Sequence, residues 1–179
     1  MKKIMFNDKF YLTHSVLNGN KTQTRRLLKD NVSFGNWEET LKHARYQVGE
    51  IIAIAQPYKD IVDESAELND IILDNSAKPE IEFQAGWNNK MFVKASFMPY
   101  HIRITNVRIE RLQDISNEDC LKEGIFKVYD TNVYGIVGKN LTSWINPKDV
   151  YAYLIDKISG KGTWQSNPFV WVYDFELVK

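Results

Sequence analysis

One stretch, Gly19-Asn20-Lys21-Thr22-Gln23-Thr24-Arg25-Arg26, constrains the fold more than any other. It follows a helix-like segment, Asp8 to Asn18, and precedes the apolar pair Leu27-Leu28. Gly19 is placed to end that helix, because glycine enters a left-handed C-cap without a Cβ penalty. The residues after it read as a strand leaving the turn, since threonine is β-branched and alternation begins there. In a regular strand Thr22, Thr24 and Arg26 share one face and Lys21, Gln23 and Arg25 the other. A twist or bulge near the turn would bring Lys21 and Thr24 together.

Four positive charges fall between Lys21 and Lys29, with no acid until Asp30. Guanidinium, ammonium and hydroxyl donors in this array suit a phosphate or a polar base edge. A short basic strand is also what a solvated, aggregation-resistant sheet edge looks like. Across all 179 residues, 23 basic and 23 acidic side chains balance, which argues against general coating of a polyanion. The balance conceals an acidic segment. Lys59 to Glu82 holds eight acids and two lysines, a local charge of −6 that leaves +6 for the remainder.

The length makes one domain the expectation, 1–179, and 44% apolar residues with abundant aromatics supply its core. Cys120 is the only cysteine, so no intramolecular disulfide forms. The start lacks an apolar signal region and no apolar run reaches membrane-spanning length. A cytoplasmic protein without a membrane partner is expected.

In chain order, Lys3 to Phe6 reads as a short strand and Asn7 or Asp8 as the cap of the first helix. Trp37 to Tyr46 is a weak helix. Ile51 to Tyr58 is a strand whose near-continuous apolarity predicts burial on both faces, with Pro57 at its end. The acidic segment allows one helix around Ser65 to Asp74. Met91 to Phe97 is strand-like. Tyr100 to Leu112 is the longest strand candidate, and its apolar phase shifts near Thr105-Asn106, as at a bulge. Ser116 N-caps a short helix, with Asp119 answering it as in a capping box and Gly124 as the stop. Ile125 to Asn140 reads as irregular. Asn146-Pro147-Lys148-Asp149 is the clearest helix start in the chain, and Gly160 ends that helix. Gly160 to Trp164 reads as a flexible turn. Phe169 to Val178 alternates as a closing strand.

His14, His43 and His101 lack Cys or acidic neighbours at ligand spacing, so neither a metal nor another cofactor is expected. Cys120 has no adjacent histidine and reads as a structural thiol. Glu123 stands at a helix C-terminus, where the dipole disfavours a carboxylate. A residue set against local preference is sometimes set there for function. A plain surface glutamate is the alternative.

The chain resembles the ASCH domain family of the PUA-like superfamily, in particular its longer members from phage and prophage contexts. The matching blocks, in conserved order, are Asn18 to Arg26, Val48-Gly49-Glu50-Ile51, Met98-Pro99 with Arg103-Ile104, Val107 to Ser116, Glu123-Gly124-Ile125 and Asn167 to Val172. Asp60 to Gln84 and Val128 to Thr142 fall outside them, so insertions are expected near 60–84 and 128–142. The resemblance implies an α+β fold in which a small, mostly antiparallel β-barrel of mixed strands carries flanking helices. It also implies a site lined by Gly19, Thr22, Arg25 and Arg26, with Gln56 and Arg103 as further ligand contacts. Relatives are thought to bind RNA or modified nucleosides. Some short bacterial members hydrolyse the amide of N4-acetylcytidine, and their catalytic lysine, threonine and glutamate fall on Lys21, Thr24 and Glu123. Where phage-type relatives carry Trp-Val-Arg-Glu, this chain has Ala53-Ile54-Ala55-Gln56. An amide thus replaces an acid, which bears on ligand choice.

Three functions stay open on the sequence. The first is a binding protein for RNA or a modified nucleoside. The second is an amidohydrolase acting on N4-acylated cytidine, with Thr24 as nucleophile, Lys21 as base and Glu123 as proton donor to the leaving amine. The third is a phage-associated adaptor without chemistry.

Overall fold

Segments that alternate or run apolar form the strands, and those with an N-cap and a glycine stop form the better-defined helices. In the computed structural model, residues 1–28, 36–62, 85–137 and 142–178 are described. In chain order they form β1 (Lys3–Ile4), α1 (Leu12–Leu17), β2 (Gln23–Leu27), α2 (Trp37–Lys42), β3 (Ile51–Ile54), α3 (Tyr58–Val62) and β4 (His101–Arg111). Then follow α4 (Asn117–Lys122), β5 (Phe126–Lys127), β6 (Tyr134–Ile136), β7 (Thr142–Trp144), α5 (Pro147–Ser159), α6 (Thr163–Ser166) and β8 (Phe169–Val178).

The architecture is α+β. A mixed sheet has the order β1-β3-β4-β8-β2, and a smaller antiparallel sheet has the order β5-β6-β7. β1 runs parallel to β3, with Lys3 opposite Ala53, and β2 runs antiparallel to β8. The five-stranded sheet has two ends, β1 and β2, so among the described residues it is open and not closed into the expected barrel. No described helix is long and apolar enough to cross a membrane.

The chain falls into two compact units. The first comprises Met1–Phe6, Ile51–Ile102 and Val178–Lys179. Here Ile52 to Ala55 are all buried, as a strand covered on both faces requires. Ala53, Ala55, Ile61, Val93 and Met98 form its core, with Tyr58, Ala95 and Phe97 packed against it. Met91 to Phe97 is not a strand: turns and a short 3-10 helix, Ala95–Phe97, take its place. The Lys3 ammonium donates to the carbonyls of Lys90, Met91 and Val93 at 3.0, 2.6 and 2.6 Å, which draws acceptors away from any ladder. The helix expected around Ser65 to Asp74 lies outside the described residues.

The second unit comprises Asn7–Glu50 and Arg103–Leu177. Its first helical segment is broken rather than continuous. A 3-10 turn, Asp8–Phe10, precedes α1, and Tyr11 between them is left-handed at φ 53°. Asn7, Asn36, Ser116 and Asn146 each accept a main-chain N–H at a helix start. The capping box at α4 is half made. Ser116 accepts from Asp119 N at 3.0 Å, but the Asp119 carboxylate turns to arginines instead. The region from Ile125 contains the small sheet that the sequence reading took for irregular chain. The turn after Gly160 is a short helix, α6, whose Gly162 and Trp164 amides donate to the Asp156 carboxylate at 3.1 and 2.8 Å.

Candidate functional site

Gly19 takes φ +73° after α1, and the amides of Asn20 and Lys21 then donate back to the Ser15 carbonyl at 2.8 and 2.9 Å. This tight exit aims the chain into β2. The Thr22 amide donates to the last carbonyl of α4, that of Lys122, while Phe175 of β8 donates to the Thr22 carbonyl, both at 2.9 Å. Lys21 is thereby held between helix and sheet and is 1% exposed.

Its ammonium donates to the carbonyl of Gln23 at 2.7 Å and to that of Glu123 at 2.8 Å. It also meets Glu123 Oε2 at 2.6 Å. Burial lowers the lysine pKa, the Glu123 charge and hydrogen bond raise it, and Arg26 and Arg25 lower it again; the net direction is down. Gly124 makes room for the pair. At φ +97° it occupies a region side chains avoid, and a Cβ there would stand 3.3 Å from Leu12 Cδ2 and 3.6 Å from Lys21 Cβ.

Arg25, on β2, reaches the same carboxylate from the other side, its Nη1 lying 3.1 Å from Glu123 Oε1. Nη1 also donates to Gln23 Oε1. Nε and Nη2 donate to Glu110 Oε1 at 3.0 and 2.5 Å, and Nη2 to Asp119 Oδ2 at 3.0 Å. A guanidinium has five N–H groups, so the protein engages them all. Arg108 extends the network, with bonds to Glu110 at 3.1 Å, Asp119 at 2.8 Å and Asp174 at 2.6 Å. Arg25 stays fully ionised, its affinity for the proton raised by Glu123 and Glu110 despite burial. Arg25, Arg108 and Lys122 hold the Asp119 carboxyl below its ordinary range.

The structure thus brings Lys21, Arg25 and Glu123 together. Thr24 sits opposite Tyr173 in a β2–β8 register that runs without interruption from Gln23 to Leu27, so no bulge rotates it toward Lys21. Strand alternation sets it on the face away from Gln23 and Arg25. It is buried, yet among the described residues its hydroxyl has no hydrogen-bond partner. Thr22 contributes main chain only to the bonds just described, and Gly19 contributes the turn. Arg26 is half-buried opposite Trp171. Arg103 lies on the surface in an ion pair with Glu176 at 2.9 Å. In the first unit Gln56 is 3% exposed, and its Oε1 is sealed from solvent without a hydrogen bond; its main-chain N–H donates to Met98 Sδ at 3.3 Å. An orphan buried acceptor of this kind costs about 1–3 kcal/mol.

Sequence reasoning missed Glu110, Asp119, Arg108 and Asp174 as members of this constellation. Their one local signal was Arg108-Ile109-Glu110, two charges at strand spacing on a common face. Cys120 is buried and its thiol is pushed up to about 12 by desolvation, which makes it unreactive at neutral pH. Among the described residues no group of three or more His, Cys, Asp or Glu side chains is arranged to hold a metal ion. Comparison of the chain with protein-family models, curated proteins and solved structures found no match.

Proposed function

We propose that this protein is an ASCH-type amidohydrolase acting on the acylated exocyclic amine of a nucleoside, with N4-acylated cytidine as the substrate class. One observation carries the reading. Lys21 and Glu123, singled out from sequence while 102 residues apart, meet at 2.6 Å in a buried setting. Buried, coupled titratable groups concentrate at catalytic sites. A lysine whose pKa is lowered by burial and an adjacent carboxylate can exchange a proton, giving a neutral amine and a carboxylic acid.

In the proposed cycle Thr24 Oγ1 attacks the acyl carbon and its proton passes to the Lys21 amine. The C–N bond breaks, the Glu123 carboxyl gives its proton to the departing cytidine amine, and an acyl ester remains on Thr24. Water then cleaves that ester to the free acid and regenerates the hydroxyl. The cycle requires substrate binding to bring the Thr24 hydroxyl, which lies across β2 from Gln23 and Arg25, within hydrogen-bond reach of the Lys21 amine. Arg25 acts as a positioning residue for Glu123, since its donors are occupied. A PUA-like barrel is the fold that the ASCH resemblance implies for the catalytic and the binding reading alike; the open mixed sheet agrees with it only as α+β.

A second reading, binding of a modified nucleoside or of RNA without turnover, draws on the placement of Thr24 across β2 from Gln23 and Arg25. The two separate on incubation with N4-acetylcytidine and chromatography of the products. Catalysis is expected to release cytidine and acetate with wild-type protein and with neither Lys21→Ala nor Thr24→Ala. Binding of acylated nucleosides with no release from any of them would leave the second reading in place.

A further inference from the structure

The small sheet β5-β6-β7 starts at Phe126, three residues after Glu123, and packs against α5. Even a fully extended chain keeps Phe126 within about 11 Å of Glu123. The register of this sheet lines up one row of side chains. Lys127 of β5 stands opposite Tyr134 of β6, and Tyr134 stands opposite Trp144 of β7. Residues directly opposite in antiparallel strands share a face, so the three lie side by side. The row continues onto α5. Tyr153 packs against Trp144 at 5.3 Å, and the Lys157 ammonium lies 5.3 Å from the centre of the Tyr153 ring.

Three aromatic rings therefore run between two lysines, and the row contains no acid. Asp156, next to Lys157 in the chain, spends its carboxylate on the Gly162 and Trp164 amides. The three rings are partly exposed and both lysines are exposed. Ile145, directly after Trp144, is 81% exposed, and Tyr129, two residues after Lys127, is 90% exposed. A contact between a helix and a sheet calls for aliphatic side chains and for no cations at its ends. Rings between cations are what a single strand of nucleic acid requires: bases stack on the rings and phosphates sit against the ammonium groups. Tyr134 falls in 128–142, outside the blocks that carry the ASCH resemblance, so the resemblance does not supply this feature.

Resting on the amidohydrolase reading for the reaction itself, we propose that the row Lys127-Tyr134-Trp144-Tyr153-Lys157 is a docking surface for single-stranded RNA. The acylated cytidine is then hydrolysed within such a strand, its neighbouring nucleotides held on the row. Unpaired bases are free to leave their own stack for protein rings, whereas those of a duplex are not.

The test is fluorescence anisotropy with an end-labelled oligouridine of about eight nucleotides, which carries no acyl group and so reads docking without turnover. Wild type is expected to bind it, with log K falling against log salt at a slope of about −1.4, the value for two phosphate contacts on a single strand. The double variant Lys127→Gln/Lys157→Gln is expected to flatten that slope to near zero with an almost unchanged melting temperature, because both side chains are exposed. Tyr153→Leu keeps an apolar side chain on α5 and is expected to weaken binding by about 5-fold or more through the lost stack. No binding by wild type, or binding that both variants leave unaltered, overturns the inference; hydrolysis of free N4-acetylcytidine in that case leaves the amidohydrolase reading standing. An oligouridine carrying one N4-acetylcytidine should show kcat/KM about tenfold or more above the free nucleoside in wild type, and equal rates for the two overturn the strand as substrate. Docking through the row with no cytidine released from either substrate overturns the amidohydrolase reading and leaves the surface as a binding site alone.

Discussion

Replacing Glu123 by glutamine leaves the shape of the site intact but removes the charge that faces Lys21 at 2.6 Å and Arg25 at 3.1 Å. Arg25 keeps Glu110 and Asp119, so most of the cost falls on Lys21. Breaking a buried ion pair on one side costs about 3–5 kcal/mol. The lysine has an escape, because it can release its proton. From the ordinary value of 10.5, neutralising it costs about 1.36 kcal/mol for each pH unit below that, hence at most about 5 kcal/mol at pH 7 and about 2 kcal/mol at pH 9. The sign follows from linkage. Without the Glu123 charge and hydrogen bond, which raise it, the folded pKa of Lys21 falls further than in wild type, so the unfolded chain binds more protons over a wider window below 10.5 and the variant gains stability with pH more steeply. Urea denaturation of wild type and Glu123→Gln at both pH values should therefore show a penalty of about 3–5 kcal/mol at pH 7 that falls to about 2 kcal/mol or less at pH 9. A penalty equal at the two pH values, or below about 1 kcal/mol at pH 7, would refute the buried-pair argument.

Two further outcomes follow from the same geometry. Gly124→Ala forces a side chain into a left-handed conformation against Leu12 and Lys21 and is expected to lose about 1–2 kcal/mol or more in chemical denaturation; unchanged stability would mean that the turn relaxes freely. Gln56→Met replaces an amide whose buried Oε1 is unpartnered with an apolar group of similar length and should be neutral or stabilising by about 1 kcal/mol on thermal unfolding, whereas a clear loss would show that this oxygen has a partner in solution.

Features legible in the sequence are those that neighbouring residues decide. Gly19, Ser116, Asn146-Pro147 and Gly160 mark helix ends because capping is a matter of a few adjacent atoms. Phe169 to Val178 was readable because Phe169, Trp171, Tyr173, Phe175 and Leu177 recur at every second position through the strand. Glu123 was visible as an acid at the wrong end of a helix. The orientation of Arg25 was not legible, because the acids that turn it inward stand 85 and 94 residues away. Strands β5, β6 and β7 are two or three residues long, shorter than the window in which a period can be recognised. The apolar run from Met91 failed as a strand for a similar non-local reason, since Lys3 claims its carbonyls.

The guanidinium of Arg25 has a consequence for how this protein can change. Glu110, Asp119, Glu123 and Asp174 carry as much negative charge as Lys21, Arg25, Arg108 and Lys122 carry positive, and each acid bonds at least one of those cations. Removing the buried Arg25 leaves Glu110, Asp119 and Glu123 each short of a partner, so losses within this network measured one at a time will not sum, and a second loss beside that of Arg25 will be cheaper than it would be alone. Drift at these positions is therefore concerted: an ancestor or descendant that has surrendered the arginine has little reason to have kept the carboxylates around it.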